Sequence, residues 1–327
     1  THSPNLASKV KLASMILVSQ GRGFPMGPEY TLLEPSDYGF LERFLDVTKA
    51  NLFFARGVLI VEGDAENLLL PAFAGLLDRD FTRYGVSIVN VGSRGLRRYA
   101  RIFRRKPRTD GAPASAIPIR VACLADRDIL PDCARERLGP ESESGDDGQS
   151  GPLPRHEGDL PDDAARERWL AAKCRDDGEN VRTFVADYWT LEYDLAHAGL
   201  GRALHSAIAL ARREATLARK GATFPEEQKS AVTAAAEGSW TALKGEADGR
   251  EDAREYLAYK LYEPLLGNLS KPVIAQYMAA LMVSGTMEEV VPSIPPYIKR
   301  AIAYVTGNDT AEGPAGQVTN NQGIVAP

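Results

Sequence analysis

The sequence has little cysteine and no long apolar run. Its 3 cysteines fit neither a paired disulfide framework nor a closely spaced zinc site. No uninterrupted apolar run approaches the roughly 20 residues that span a bilayer, so we expect no membrane partner. These absences favour a protein of the reducing cytoplasm.

Two common catalytic motifs are also absent. No G-x-x-x-x-G-K-[ST] phosphate loop occurs, so we do not expect this chain alone to hydrolyse ATP. No His-x-x-x-His zinc pair occurs either, and we interpret His197 and His205 as packing or surface residues. Any chemistry must therefore depend on other residue types.

Basic residues are concentrated in one segment, SRGLRRYARIFRRKPR, although the formal net charge is −5. Tyr99, Ile102 and Phe103 are interleaved with these basic residues. On a helix they would form a basic face able to contact phosphates, with the apolar residues anchoring it to a sheet. A merely solvated basic helix is the alternative. The candidate DNA-binding residues are Arg94, Arg97, Arg98, Arg101, Arg104 and Arg105.

Acidic residues follow the first predicted strand. Val58–Val61 is a continuous apolar run that ends in a Glu62-Gly63 turn, the pattern of a buried strand. Asp64 is predicted to cap the following helix. Glu66 then falls in the first helical turn, where the helix dipole favours a carboxylate. Glu62 and Glu66 are therefore expected to lie close together.

A second pair of acids, Asp126 and Asp128, follows the predicted strand Ile119–Leu124. In open α/β sheets, ligands bind at the carboxyl ends of the strands. Four carboxylates at that edge would suit a hard divalent cation such as Mg²⁺. Each acid taken alone could equally be a cap or a turn former.

These motifs resemble a known family. The turn VEGDAE followed by ADRD resembles the Toprim domain shared by topoisomerases, primases and some nucleases. The longer string FFARGVLIVEGDAENLLLPAFA is similar to the nuclease half of the OLD (overcoming lysogenization defect) family, in which an ABC-type ATPase is fused to a Toprim nuclease. The resemblance implies an α/β fold, a mostly parallel sheet flanked by helices, with an additional helical subdomain.

The resemblance also implies the remaining site residues. Thr-Leu-Glu in WTLEYDLA resembles a third acidic motif and would place Glu192 beside Asp126. Lys271, just before an apolar helix, would stabilise negative charge on a phosphate. From the residues alone, Glu192 is equally a first-turn helix acid, and Lys271 a solvated lysine. The implied catalytic residues are Glu62, Glu66, Asp126, Asp128 and Lys271, and the implied metal ligands are the same four acids with Glu192.

The chain is predicted to have four segments. Residues 1–50 are expected to be the end of an ATPase domain and a linker helix, because Thr1-His2-Ser3-Pro4 resembles the switch-histidine loop of ABC-type proteins. Residues 51–194 would form the Toprim nuclease domain, with a flexible acidic insertion around 138–163. Residues 195–306 would form the helical subdomain, and residues 307–327 a frayed tail.

The resulting expectation is a DNA endonuclease or nickase that hydrolyses phosphodiester bonds with two Mg²⁺ or Mn²⁺ ions. The OLD resemblance further implies DNA as partner, an ATPase domain and a homodimer in the full-length protein, and phage defence in the bacterial cytoplasm. Two alternatives remain open. The chain could be another Toprim enzyme, a primase or an RNA-maturing nuclease, or a DNA-binding or assembly module that is silent without its ATPase.

Overall fold

A four-stranded parallel sheet lies at the centre of the computed structural model, which describes residues 1–92, 95–107, 115–134, 156–267, 269–285 and 290–307. An antiparallel hairpin, β1 (Ile16–Ser19) and β2 (Arg22–Pro25), comes before it. The sheet strands are β3 (Gly57–Val61), β4 (Val86–Asn90), β5 (Arg120–Ala125) and β6 (Val181–Val185). Their order is β4-β3-β5-β6, and each neighbouring pair is parallel. All four strands therefore end at one edge.

Helices cover both faces of the sheet. The first six are α1 (Pro4–Ala7), α2 (Pro35–Phe44), α3 (Asp64–Leu76), α4 (Phe81–Tyr84), α5 (Leu96–Arg101) and α6 (Asp163–Lys173). The next six are α7 (Leu191–Leu195), α8 (Gly201–Ala218), α9 (Glu226–Ala247), α10 (Ala253–Tyr262), α11 (Lys271–Ser284) and α12 (Pro296–Val305). A π-helical turn, Ala196–Leu200, joins α7 to α8.

Strand β3 is buried along its whole length because helices pack on both of its faces. Side chains alternate between the two faces of a strand. Leu59 and Val61 accordingly belong to a core shared with α3, α8, α11 and α12, whereas Val58 and Ile60 belong to a core shared with α2 and α5. The apolar residues of β3 thus contribute side chains to both cores.

Helix α12 packs across β3, β5 and β6. It comes so close to the start of β3 that a Cβ atom on Gly57 would lie 2.3 Å from the carbonyl oxygen of Val305. Only a residue without a side chain fits under this carbonyl. The described part of the chain contains no helix long and apolar enough to span a bilayer.

The predicted α/β class is confirmed. The apolar runs at 58–61, 85–92 and 119–124 each predict a strand, and these strands are present as β3, β4 and β5. Two helix predictions need correction. The apolar spacing of Phe40, Leu41 and Phe44 predicts a helix over residues 38–50. The helix present is α2, which begins at Pro35, where Glu34 and Asp37 form a capping box, and ends at Phe44. The arginine helix α5 ends at Arg101, so Arg104 and Arg105 lie beyond it.

The predicted four-segment division stays a prediction. Most of the proposed acidic insertion, residues 138–155, and all but the first residue of the proposed tail, residues 308–327, lie outside the described residues. Helices α8, α11 and α12 share a single core with α3 and the sheet. The helical segment is therefore packed against the Toprim-like sheet.

Candidate active site

The turn between β3 and α3 places Glu62 and Glu66. Gly63, and not Asp64 as predicted, is the residue that precedes the helix. Asp64 is the first helical residue, and its Oδ1 accepts a hydrogen bond from Nδ2 of Asn90 at 2.6 Å, which ties α3 to the end of β4. A Cβ atom on Gly63 would lie 2.7 Å from Oε2 of Glu66. The glycine therefore leaves room for the Glu66 carboxylate to lie back over the turn.

Asp126 and Asp128 lie on either side of Arg127, which is held in place by hydrogen bonds to backbone carbonyls. The backbone N–H of Arg127 donates to the carbonyl of Trp189 at 2.8 Å, and its Nη1 donates to the carbonyl of Asp187 at 2.6 Å. Asp128 has a φ of 57°, in the left-handed region that aspartate tolerates better than most residues. The clamp at Arg127 fixes the loop that carries both acids.

Glu192 lies in the first turn of α7, as predicted, and its side chain is only 7% exposed. The loop before it is held by the buried Asp194, whose carboxylate accepts hydrogen bonds from the backbone N–H groups of Asp187, Tyr188 and Trp189 at 2.7, 3.1 and 3.0 Å. Asp194 therefore has a structural role. Lys271 begins α11, and its Nζ lies 3.1 Å from Oε2 of Glu192.

One half of the site, which we call the Lys271 half, contains Glu66, Asp126 and Glu192. Burial raises the pKa of Asp126 to about 8, and the charges of Glu192 and Glu66 add to this effect. Burial also raises the pKa of Glu66, again with a contribution from Glu192. Burial alone would lower the pKa of Lys271, but the charge of Glu192 raises it above its ordinary value, so the lysine stays protonated.

The other half, which we call the Lys173 half, contains Glu62 and Asp128. Burial raises the pKa of Glu62 to about 7, Asp128 raises it further, and Lys173 opposes the shift. The ammonium of Lys173 forms an ion pair with Asp128. Lys173 was missed by the sequence analysis, because a lysine in the last turn of a helix is an ordinary partner of the helix dipole and carries no motif.

The site was tested for its fit to a metal ion. Within the described ranges, no three His, Cys, Asp or Glu side chains are grouped closely enough to hold one as they stand. The donor chemistry does fit a hard divalent cation, because the two halves offer carboxylate oxygens, and the raised pKa values of Glu62 and Asp126 reflect partial burial and repulsion by neighbouring acids. The residues that would hold such ions are Glu62, Glu66, Asp126, Asp128 and Glu192.

The arginines predicted to bind DNA form ion pairs with acids of the same chain. Asp176 accepts hydrogen bonds from Nε of Arg97 at 2.5 Å and from Nε of Arg101 at 2.8 Å. Arg98 and Arg101 also pair with the buried Asp37, at 3.2 and 3.1 Å. These three guanidinium groups thus serve as internal ion-pair partners.

The remaining predicted arginines follow the same pattern. Nη1 of Arg104 donates to the backbone carbonyls of Asp176 and Asp177, and Arg105, 8% exposed, donates to the carbonyl of Pro25 at 2.6 Å. Arg94 lies outside the described residues. Whether the segment binds DNA stays a prediction.

Residues 53–128 match the family model described as "Overcoming lysogenization defect protein-like, TOPRIM domain". This segment is similar to an OLD-like Toprim domain. The match confirms the family resemblance for the segment that contains Glu62, Glu66, Asp126 and Asp128. Glu192 and Lys271 lie beyond the matched residues, so their place in the site rests on the geometry around the Toprim sheet.

Solved structures of OLD proteins are similar to the chain at low identity. The C-terminal region of the Burkholderia pseudomallei OLD protein is 24% identical, with 77% of this chain and 98% of that chain covered and a TM-score of 0.38. The C-terminal region of the Xanthomonas campestris pv. campestris OLD protein is 22% identical, with 78% and 95% covered and a TM-score of 0.39. At such TM-scores the assignment rests on the family model. A comparison with curated proteins gave no match.

Proposed function

We propose that this chain is a divalent-metal-dependent endodeoxyribonuclease or nickase that hydrolyses phosphodiester bonds. The observation that carries the proposal is that carboxylates follow the strand ends in a segment similar to OLD-like Toprim domains, where partial burial raises the pKa values of Glu62 and Asp126. Buried carboxylates that repel one another are stabilised by a hard cation. Toprim domains generally bind divalent metals, which agrees with this donor set.

The two halves of the site suggest how two Mg²⁺ or Mn²⁺ ions would be held. Glu66, Asp126 and Glu192 would hold one ion, and Glu62 and Asp128 the other. Such a pair of ions activates water and stabilises the leaving oxygen of a phosphodiester. Lys271, kept protonated beside Glu192, would contact a non-bridging phosphate oxygen. The proposal requires no covalent nucleophile.

The wider context is also a proposal. From the OLD-like Toprim assignment we infer DNA as the substrate, an ATPase domain and a second copy of the chain as partners in the full-length protein, and a role in phage defence in the bacterial cytoplasm. The acids do not discriminate between nicking and double-strand cleavage, since both use the same hydrolytic step.

The test is cleavage of supercoiled plasmid with Mg²⁺, Mn²⁺, Ca²⁺ or EDTA. We expect the native chain to nick or linearise the plasmid with Mg²⁺ or Mn²⁺ and to be inactive in EDTA. Glu62→Gln and Asp126→Asn, which keep the shape of each side chain, should each lower the rate roughly 100-fold or more, as loss of a transition-state contact does. The matched control is Glu237→Gln, because Glu237 is an exposed acid of α9 that pairs with Arg202 of α8.

Three outcomes point elsewhere. Equal cleavage by the native chain and both site variants would overturn the two-metal nuclease and favour the assembly module. Primer synthesis from nucleotides on a template would identify a primase. Cleavage of structured RNA with no action on DNA would identify an RNA-processing nuclease.

A further inference from the structure

Lys173 is the last residue of α6, and this helix end is fixed to the loop that carries Asp126 and Asp128. Nε1 of Trp169 donates to the carbonyl of Arg127 at 2.9 Å. One turn later, the Lys173 ammonium pairs with Asp128 and lies 5.9 Å from the centre of the Trp169 ring. Two side chains of one helical face therefore hold α6 against the Asp-x-Asp loop.

The arginine segment binds the residues that directly follow this helix end. Arg97 and Arg101 bind the carboxylate of Asp176, and Arg104 binds the carbonyls of Asp176 and Asp177. These partners begin three residues after Lys173. The lysine is therefore held in place before any ligand arrives, which lowers the entropic cost of a further contact.

A nucleic acid that approaches this edge meets negative charge. The carboxylates of Glu62 and Asp128 would repel a phosphate, and the arginines of α5 are already paired with acids of the same chain. Lys271 supplies positive charge beside Glu192, and Lys173 supplies it beside Asp128. Each half of the site thus has its own lysine.

The Lys173 ammonium retains capacity for another acceptor. It has three N–H donors, of which Asp128 needs one, and its side chain is 23% exposed. A phosphate oxygen is the acceptor that a compact ammonium group binds well. The other half of the site has the same arrangement, with Lys271 paired to Glu192 and partly exposed.

We propose that Lys173 binds a phosphate of the DNA strand on the Glu62–Asp128 side, so that Lys173 and Lys271 bracket the acids. This inference rests on the proposed nuclease function and adds a substrate contact to it. The arginine segment then acts on DNA indirectly, by positioning α6 and its lysine. Because a phosphate carries no base identity, the contact would contribute equally for every DNA sequence.

The test is the salt dependence of DNA affinity, measured by fluorescence anisotropy in Ca²⁺ and in EDTA on two duplexes of unrelated sequence. A phosphate contact contributes about 0.9 to the slope of log K against log salt. We expect Lys173→Met and Lys173→Gln to weaken binding equally for both duplexes and to reduce the slope by about 1, with Lys173→Arg close to the native chain. Gln can still donate to Asp128, so it removes the charge with the least disturbance of the loop.

Lys260→Met is the matched control. Lys260 has the same 23% exposure and pairs with the carboxylate of Glu263 at 2.9 Å, so its loss removes an equivalent surface ion pair. Its slope should equal that of the native chain. An unchanged slope in both Lys173→Met and Lys173→Gln overturns the proposal, as does a change of equal size in Lys260→Met.

The result separates this inference from the proposed function. A reduced slope without metal-dependent cleavage by the native chain would keep the phosphate contact and reject the nuclease. Metal-dependent cleavage with an unchanged slope would keep the nuclease and reject the contact. A higher KM with unchanged kcat in Lys173→Gln would further support a substrate-binding role over a purely structural one.

Discussion

The arginine segment and the acidic edge are both rich in charge, yet they differ in how that charge is compensated. Arg97 and Arg101 meet Asp176 within 2.8 Å, so opposite charges are matched inside the fold. At the acidic edge, Asp126 faces Glu66 and Glu192, which repel it. The comparison teaches that a run of charged residues in a sequence is a weak indication of a functional site. Charged side chains that are partly buried and not fully neutralised by opposite charges are a stronger indication.

The pKa values of the carboxyl groups in the two regions are shifted in opposite directions. Burial acts to raise the pKa of Asp176, but hydrogen bonds from Arg101 and Arg97 outweigh it and lower the pKa below its ordinary value. Burial raises the pKa of Asp126 to about 8, and the charge of Lys271 opposes this only in part. The ion pairs of the arginine segment stabilise the fold. At the acidic edge the carboxylates repel one another, and a bound cation would reduce this repulsion.

The largest effect should come from breaking the compensated region. Asp176→Ala leaves Arg97 and Arg101 without their shared carboxylate, and we expect it to lower the free energy of unfolding by about 3 kcal/mol. Urea denaturation followed by circular dichroism measures this. The control is Glu237→Ala, which removes an exposed ion pair with Arg202 and should cost less than about 0.5 kcal/mol.

A different result would reverse the interpretation of the arginine segment. If Asp176→Ala kept native stability and bound DNA more tightly, the freed arginines would be the phosphate contacts that the sequence predicted. The salt slope of DNA binding would then increase in the variant.

The second effect is a pH dependence of stability set by the acidic edge. The folded-state pKa values of Glu62 and Asp126, about 7 and about 8, lie above their unfolded values, so their protonated forms favour folding. This stability is complete below about pH 4 and is lost as the pH rises to about 8. We expect the free energy of unfolding to fall over this pH range, with a smaller share from Glu62 than from Asp126, because the pKa of Glu62 is raised less and solvent screens part of its charge.

Thermal unfolding in EDTA at several pH values measures this loss. Asp126→Asn should flatten the profile, because the amide cannot ionise. Mg²⁺ should raise the unfolding temperature more at pH 8.5 than at pH 6, because the ion binds the deprotonated carboxylates. A native profile that is flat over this range would argue against mutual repulsion at this edge.

The smallest effect should come from adding one methyl group beside the Glu66 carboxylate. Gly63→Ala would place a Cβ 2.7 Å from the Glu66 carboxylate, which must then move. Because that carboxylate is the end of a flexible side chain, we expect plasmid cleavage to fall about tenfold, or 1.4 kcal/mol, with little change in unfolding temperature. In Gly75→Ala, on the helix that Gly63 precedes, the new Cβ meets no atom within 4 Å, so this variant should leave cleavage unchanged. Equal cleavage by the two variants would mean that the position of Glu66 does not matter.

The sequence sufficed for the parts of the site that are local. The apolar run Val58–Val61 and the Glu62-Gly63 turn specify a strand and its exit within a few residues. The acids at Asp126 and Asp128 likewise follow directly from the end of β5. In such cases the strand period and the turn chemistry determine the position of a side chain without knowledge of distant contacts.

The parts that could not be predicted depend on partners far away along the chain. Arg101 meets acids 75 and 64 residues distant, and no local pattern indicates that its charge is already used. Lys173 meets Asp128 across 45 residues. The boundary of α2 was missed for a more local reason, since a capping box that begins with Glu34 is less usual than one that begins with serine or threonine.

The contact between Gly57 and Val305 also bears on how the protein is made. A ribosome releases all four strands of the sheet long before it releases residues 296–305, yet α12 covers the face that carries Leu59 and Val61. Until those last turns emerge, the part of this apolar face that α12 covers stays open, although α3, α8 and α11 pack on the same face. A chain truncated before residue 296 is therefore expected to aggregate during synthesis, and not to fold into an enzyme of slightly lower stability.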